Sequence, residues 1–318
     1  MVVLLTVDER RRKTLRLLSR YAEDLPLLPA VEAALKAIPR QDPDLPDRIE
    51  QLARLDPALA VRLLYVANHT FNFVAHRDVT LASIMVLAGS DAVIGSMDRL
   101  HSSSPAFVNQ ETQRDIWLHS VQVAMAAKAL THLLPEPRPS GEESYLYGLL
   151  HDLGRLIMLV TSAAKVDEVN ESHWTTGKEL VSAEQQICGF DHGVLGWLAC
   201  RNWNFPDSLA LVNKLHHSMS PDLTHHLDQK SAALVNLISL ADELSLLMTK
   251  NDKFMGLTSA ERKKTMSTSR VGRLAQALSI PIDKIELMIP LLDALSREEL
   301  RKLYATIEPS DEAAADSA

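Results

Sequence analysis

Residues 145–159, YLYGLLHDLGRLIML, set His151 and Asp152 side by side in an otherwise apolar run. The spacing predicts a helix over 144–162 in which Tyr145, Leu149, Asp152 and Leu156 share one face. Asp152 then points inward, with His151 about 100° round the helix from it. An unpaired buried carboxylate is costly, so it must shift its pKa, find a cation or bind a metal. The pair therefore needs partners from elsewhere in the chain.

The surrounding pattern is helical. Alternating runs of Val, Ile and Thr are missing, while periods of three and four residues recur throughout, so the fold is expected to be all-α. In LARLDPALAVRLLYVANHTF, Asp56 suits an N-cap and Pro57 the first helical position, and Leu59, Leu63 and Val66 follow at helical spacing. Further helices are expected after the prolines of LPLLPAV (25–31) and in LPDRIEQLARL. SIMVLAGSDAVIGSMDRL reads as two short helices broken at Gly89-Ser90. LPEPRPSGEE (134–143) reads as a loop between helices at 112–133 and 144–162. Gly189 suits the C-cap of a helix over 179–188, Pro206 can start one running to His217, and 231–248 forms a long one. SRVGRLAQALSI, DKIELMIPLLDAL and SREELRKLYATI read as a C-terminal helical cap, and the final PSDEAAADSA as disordered.

The 318 residues can bury a full core. A net charge of −8 argues against a nucleic-acid binder. The one basic cluster, Arg10, Arg11, Arg12 and Lys13, follows Asp8 and Glu9 and reads as a solvated helix face. Cys188 and Cys200 make neither a disulfide framework nor a zinc ribbon, which suits a reducing, cytoplasmic setting. The start, MVVLLTVDERRR, reverses the charge order of a signal peptide. No stretch reads as the roughly 20 apolar residues of a membrane span.

Five predicted helices carry His or Asp on or beside an apolar stripe. His119 shares a face with Ile116, Val123 and Leu130. His192 precedes Leu195 and Ala199. His216 lines up with Leu209 and Val212, with His217 beside it, and Asp242 follows Leu234 and Ile238. Taken singly, such a histidine reads as a core residue bonded to a carbonyl. His69, His76, His101, His132, His173, His225 and His226 are given no further role. Two inward aspartates together with several inward histidines point to mutual satisfaction around one site. That donor set suits Zn, Mn, Fe or Ni rather than Mg or Ca.

At these residues the chain resembles the HD superfamily of metal-dependent phosphohydrolases. More specifically, DLPLLPAV, LARLDPALAVRLLYVANHTF, IWLHSVQVA, YGLLHDLGRLIM, EQQICGFDHGVLGWLACRNWNFP and KLHH follow in order the pattern of HDOD domains. These are bacterial signalling domains related to the HD-GYP cyclic-dinucleotide phosphodiesterases. The resemblance covers about residues 21–217 and implies a two-lobed helical bundle. Its lobes are an N-terminal one (21–110) and an HD-like one (111–248); outside them the chain reads as an N-terminal helix (1–20), a C-terminal helical extension (249–307) and a disordered tail (308–318). The resemblance also implies His119, His151, Asp152, His192, His216, His217 and Asp242 as metal ligands. No residue is assigned as catalytic.

Departures from the enzymes lie around the ligands. SMSPDL follows the paired histidines, without the Glu and Gly-Tyr-Pro segment of active HD-GYP domains. Arg155 stands where those enzymes carry a lysine. Two readings follow. One is a signal-transduction module acting in trans on a protein partner, without turnover. The other is a metal-dependent phosphohydrolase acting on a nucleotide or cyclic dinucleotide. Homodimerisation stays open.

Overall fold

The computed structural model describes residues 13, 17, 21–22, 24–71, 79–86, 110–218, 226–251 and 253–307. Among these the chain is helical, with no strand. The first three helices are α1 (Pro29–Ala37), α2 (Leu45–Leu55) and α3 (Pro57–Phe71). One carboxylate organises them. Asp56 Oδ1 accepts the amides of Ala58 (2.8 Å) and Leu59 (3.0 Å) at the start of α3, and Oδ2 accepts that of Leu28 (2.8 Å), the N-cap residue of α1. Asp56 is fully buried, and burial pushes its pKa up to about 6 against those bonds.

Next come α4 (Gln110–Thr131), α5 (Gly141–Leu149), α6 (Leu153–Glu171), α7 (Gly177–Cys188), α8 (His192–Asn202), α9 (Asp207–Leu215) and α10 (Gln229–Lys250). Local signals set most of their ends. Thr176 and Glu179 form a reciprocal capping box on α7, and Gly189, at φ 84°, ends it in the left-handed region. Asp191 and Asp228 cap α8 and α10 through the amides three residues on. Pro206 immediately precedes α9, as expected.

The helix expected over 144–162 is instead two. α5 stops at Leu149, and α6 starts at Leu153 and runs on to Glu171 with a kink at Ser162. The Gly148 carbonyl, which a continuing helix would offer to Asp152, accepts from the His151 ring at 2.7 Å. His151 and Asp152 therefore sit at the corner between two helices rather than along one.

The C-terminal part comprises a short turn (Phe254–Gly256), α11 (Ser259–Thr268), α12 (Arg270–Ala277) and α13 (Ile282–Ile307). Segments 283–295 and 296–307, read as separate, form one helix through Pro290. α11 went unread in the sequence. It has almost no apolar face, burying only Met266. α13 packs on α1 and α4, and α12 on α10. One contiguous core runs from Ala22 to Leu292 and includes the fully buried Trp117, Tyr147, Trp203 and Phe254.

α10 is long and apolar enough to cross a membrane, at mean hydropathy 1.4, although no such stretch was expected. It is a core helix: Leu234, Leu237, Ile238, Leu240, Ala241 and Leu244 are all fully buried. Residues 81–86 are helical. The break at Gly89-Ser90, the 308–318 tail and most of the 1–20 helix lie outside the described residues. Within that last segment Lys13 is helical and exposed. Cys188 and Cys200 are free thiols.

Candidate metal centre

All seven expected ligands meet at one place. His119 comes from α4, His151 and Asp152 from the α5–α6 corner, and His192 is the first residue of α8. His216 and His217 directly follow α9, and Asp242 lies within α10. Asp152, Asp242, His151, His192 and His216 are all at most 2% exposed.

Their facing atoms fall into two groups. Asp152, His192, His216 and His217 can converge on one point, and His119, His151 and Asp242 on another. Asp152 Oδ1 lies 3.2 Å from His192 Nε2, 3.4 Å from His216 Nε2 and 3.6 Å from His151 Nε2. Asp242 Oδ1 lies 3.1 Å from His119 Nε2 and 3.9 Å from His151 Nε2, and its Oδ2 is 3.3 Å from His217 Nδ1. Asp152 Oδ2 also lies 4.0 Å from His119 Nε2, so Asp152 spans both groups while its nearest ligand atoms belong to the His192 side.

The tautomers of four histidines follow from bonds on their outer edges. His151 Nδ1 faces the Gly148 carbonyl (2.7 Å), and His216 Nδ1 faces those of Val212 and Asn213 (both 3.0 Å). His192 Nδ1 faces Glu184 Oε2 at 2.6 Å. His119 Nδ1 lies 3.2 Å from Ser245 Oγ, whose own proton goes to Gln122 Oε1. Each acceptor requires a proton on Nδ1, so each Nε2 faces the shared centre.

Inside, hydrogen bonding is incomplete. His151 Nε2, Asp152 Oδ1, His217 Nδ1 and both oxygens of Asp242 are buried with no hydrogen bond of acceptable geometry. Burial would raise the pKa of Asp152, but His151 and His192 outweigh it and hold it well below the carboxylate range. Asp242 is lowered likewise, with His217 and His119 outweighing burial. Burial drops His151 to about 4 and, aided by His216, holds His217 well below its ordinary value. Two ionised carboxylates thus crowd against the neutral rings of His151 and His217 with three of their four oxygens unbonded, an arrangement that a cation completes.

Other residues support the cluster, and of these Glu184 and Gly154 escaped the sequence reading. Glu184 accepts both the ring and the backbone amide of His192 (2.6 and 2.9 Å). Its signal was legible, since it lies four residues after buried Leu180 on α7, where an apolar side chain is expected. Arg155 is held between Asp152 (3.8 Å), Glu184 (3.9 Å) and Asn170 (3.2 Å). Gly154 is needed because α6 and α8 cross there. A Cβ on it would sit 1.9 Å from the His192 carbonyl oxygen.

A groove of about 540 Å³ opens beside His119 and Arg155, walled by Ile116, Asp167 and Trp174. Its side of the cluster is the more open one: the His119 side chain is 15% exposed and that of His217 8%.

This all-helical arrangement, with a buried His/Asp cluster at its centre, defines an HD-like bundle. Residues 25–219 match the HDOD domain, and the chain belongs to that family. No functionally curated protein matches it. Among solved structures it resembles the MmoQ response regulator of Methylococcus capsulatus str. Bath, at 18% identity and TM-score 0.62, over 84% of this chain and 98% of that one. It also resembles a virulence factor of Campylobacter jejuni subsp. jejuni, at 17% identity and TM-score 0.56, over 86% of this chain and 97% of that one. At these identities the likeness is one of fold.

Proposed function

We propose that this HDOD protein is a cytoplasmic signalling module that holds divalent metal in its His/Asp cluster and acts through contacts with a protein partner, without turning over a phosphoester. The observation that carries the metal reading is the set of five buried, unbonded donor atoms facing one another. Asp152, His192, His216 and His217 would hold one ion, and His119, His151 and Asp242 a second. Imidazole with carboxylate suits Fe, Mn, Zn or Ni.

Two observations favour a module without turnover. Arg155 is already engaged by Asp152, Glu184 and Asn170, so it is not free to clamp a phosphate. The groove at His119 also carries Glu111, Asp115, Asp167 and Glu171 against Arg155 and Lys250, a balance that repels phosphoanions. The second reading, a phosphohydrolase, draws on the size of that groove, which would admit a small phosphoester. There a bound metal would polarise a phosphoryl oxygen.

The test is elemental analysis of the purified chain, then phosphodiesterase assays on nucleotides and cyclic dinucleotides with added Mn or Fe. Metal-loaded, inactive protein supports the module. Turnover that disappears in a folded Asp152→Ala variant establishes the hydrolase instead. A chain that takes up none of the four metals removes the metal reading. Pull-down from native extract, with and without cyclic dinucleotide, tests for the partner.

A further inference from the structure

We propose that Arg270 couples the C-terminal helices to the metal cluster, so that metal binding and the docking of residues 259–277 favour each other. The proposal rests on the metal reading above. The HDOD match ends at residue 219, so α11 and α12 lie outside it. Yet the first residue of α12 reaches back to the ligands. Arg270 Nη1 lies 2.7 Å from Glu243 Oε1, and Nη2 donates to the carbonyls of His216 and, at 3.0 Å, Ser218. The Arg270 side chain is only 10% exposed.

These contacts tie three parts of the chain at one point. The two carbonyls flank His217, so fixing them fixes the backbone that presents His216 and His217. Glu243 directly follows Asp242, and its carboxylate can converge with His217 and Asp242 on a cation. The guanidinium pairs with Glu243 instead, offsetting a third negative charge at the edge of the cluster. A cation at the first position of a helix opposes the helix dipole. Helix preference therefore does not account for Arg270, whereas its contacts to the α9 end and to α10 do. The rest of α12 is anchored by Val271, Leu274 and Ala275, which are buried in the same core.

A metal that fixes the His216–His217 turn would fix the carbonyls on which Arg270 depends. By reciprocity, a docked α12 would then favour metal binding. A purely structural arginine would change stability without making α11 and α12 respond to metal.

The experiment is amide hydrogen exchange on the full chain, with and without saturating Zn²⁺, alongside elemental analysis. Exchange in 259–277 is expected to slow about fivefold or more on metal addition. Arg270→Gln is expected to abolish the slowing while still binding metal. Metal binding without slowing in the wild type, or undiminished slowing in Arg270→Gln, overturns the coupling. If Arg270→Gln does not fold, Glu243→Gln decides: reduced slowing supports the proposal and undiminished slowing overturns it. A wild type that binds no metal overturns the metal reading, and the coupling with it.

Discussion

Metal uptake should expel a proton from His192, and the affinity should therefore climb with pH. The His192 ring is fully buried, which by itself would lower its pKa. Glu184 Oε2 at 2.6 Å from Nδ1 and Asp152 Oδ1 at 3.2 Å from Nε2 outweigh burial and push it up to about 9. At pH 7 the metal-free ring is a cation, and an incoming ion must displace the Nε2 proton. From pH 7 the apparent affinity should rise about tenfold per pH unit, bend over near pH 9 and level off about a hundredfold higher. Titration calorimetry with Zn²⁺ at pH 7, in buffers of different ionisation enthalpy, should find about one proton released by this ring. Glu184→Gln removes the largest raising influence and should flatten the slope. An affinity constant between pH 7 and 9, with no proton released, would refute the argument.

The same shift bears on metal-free stability. A folded pKa raised from 6.5 to about 9 contributes about 3 kcal/mol at roughly 1.4 kcal/mol per pK unit. The contribution is fully present below pH 6.5 and lost as pH rises through about 9. Urea unfolding of the metal-free chain at either end of that window measures it.

Three substitutions test other parts of the structure. Asp242→Asn removes the carboxylate 3.1 Å from His119 and 3.3 Å from His217, and should cut metal content by about one ion per chain. Unchanged content by elemental analysis takes Asp242 out of the ligand set. Gly154→Ala puts a Cβ 1.9 Å from the His192 carbonyl oxygen, so α6 and α8 must part, at about 1–3 kcal/mol or more. A wild-type melting temperature would contradict the close crossing. Asp56→Ala leaves the amides of Leu28, Ala58 and Leu59 without their acceptor, and should cost about 3 kcal/mol in urea unfolding. A loss under about 1 kcal/mol would show that other groups organise α1 and α3.

Much of this was legible because it is local. Helical periodicity marked nearly every element, and Asp56, Gly189 and Pro206 marked the ends they stand at. The seven His and Asp positions stood out because each interrupts or borders an apolar stripe. The resemblance to HDOD domains then implied that they belong together. α11 was missed because it buries only Met266 and so has no apolar stripe to read.

What the chain determines by itself, then, is helices, caps and a set of polar side chains that cannot remain alone in a core. Local pattern governs these, because each depends on residues a few positions apart. Tertiary structure decided the rest. The apolar pattern of 145–159 suits one helix or two, and the choice turns on His151 bonding the Gly148 carbonyl as its ring enters the cluster. The siding of Asp152 with His192 and His216, the clamp of Glu184 on His192, and the reach of Arg270 to His216 across 54 positions all depend on contacts distant in sequence. No periodicity encodes them, because they exist only once the helices have packed.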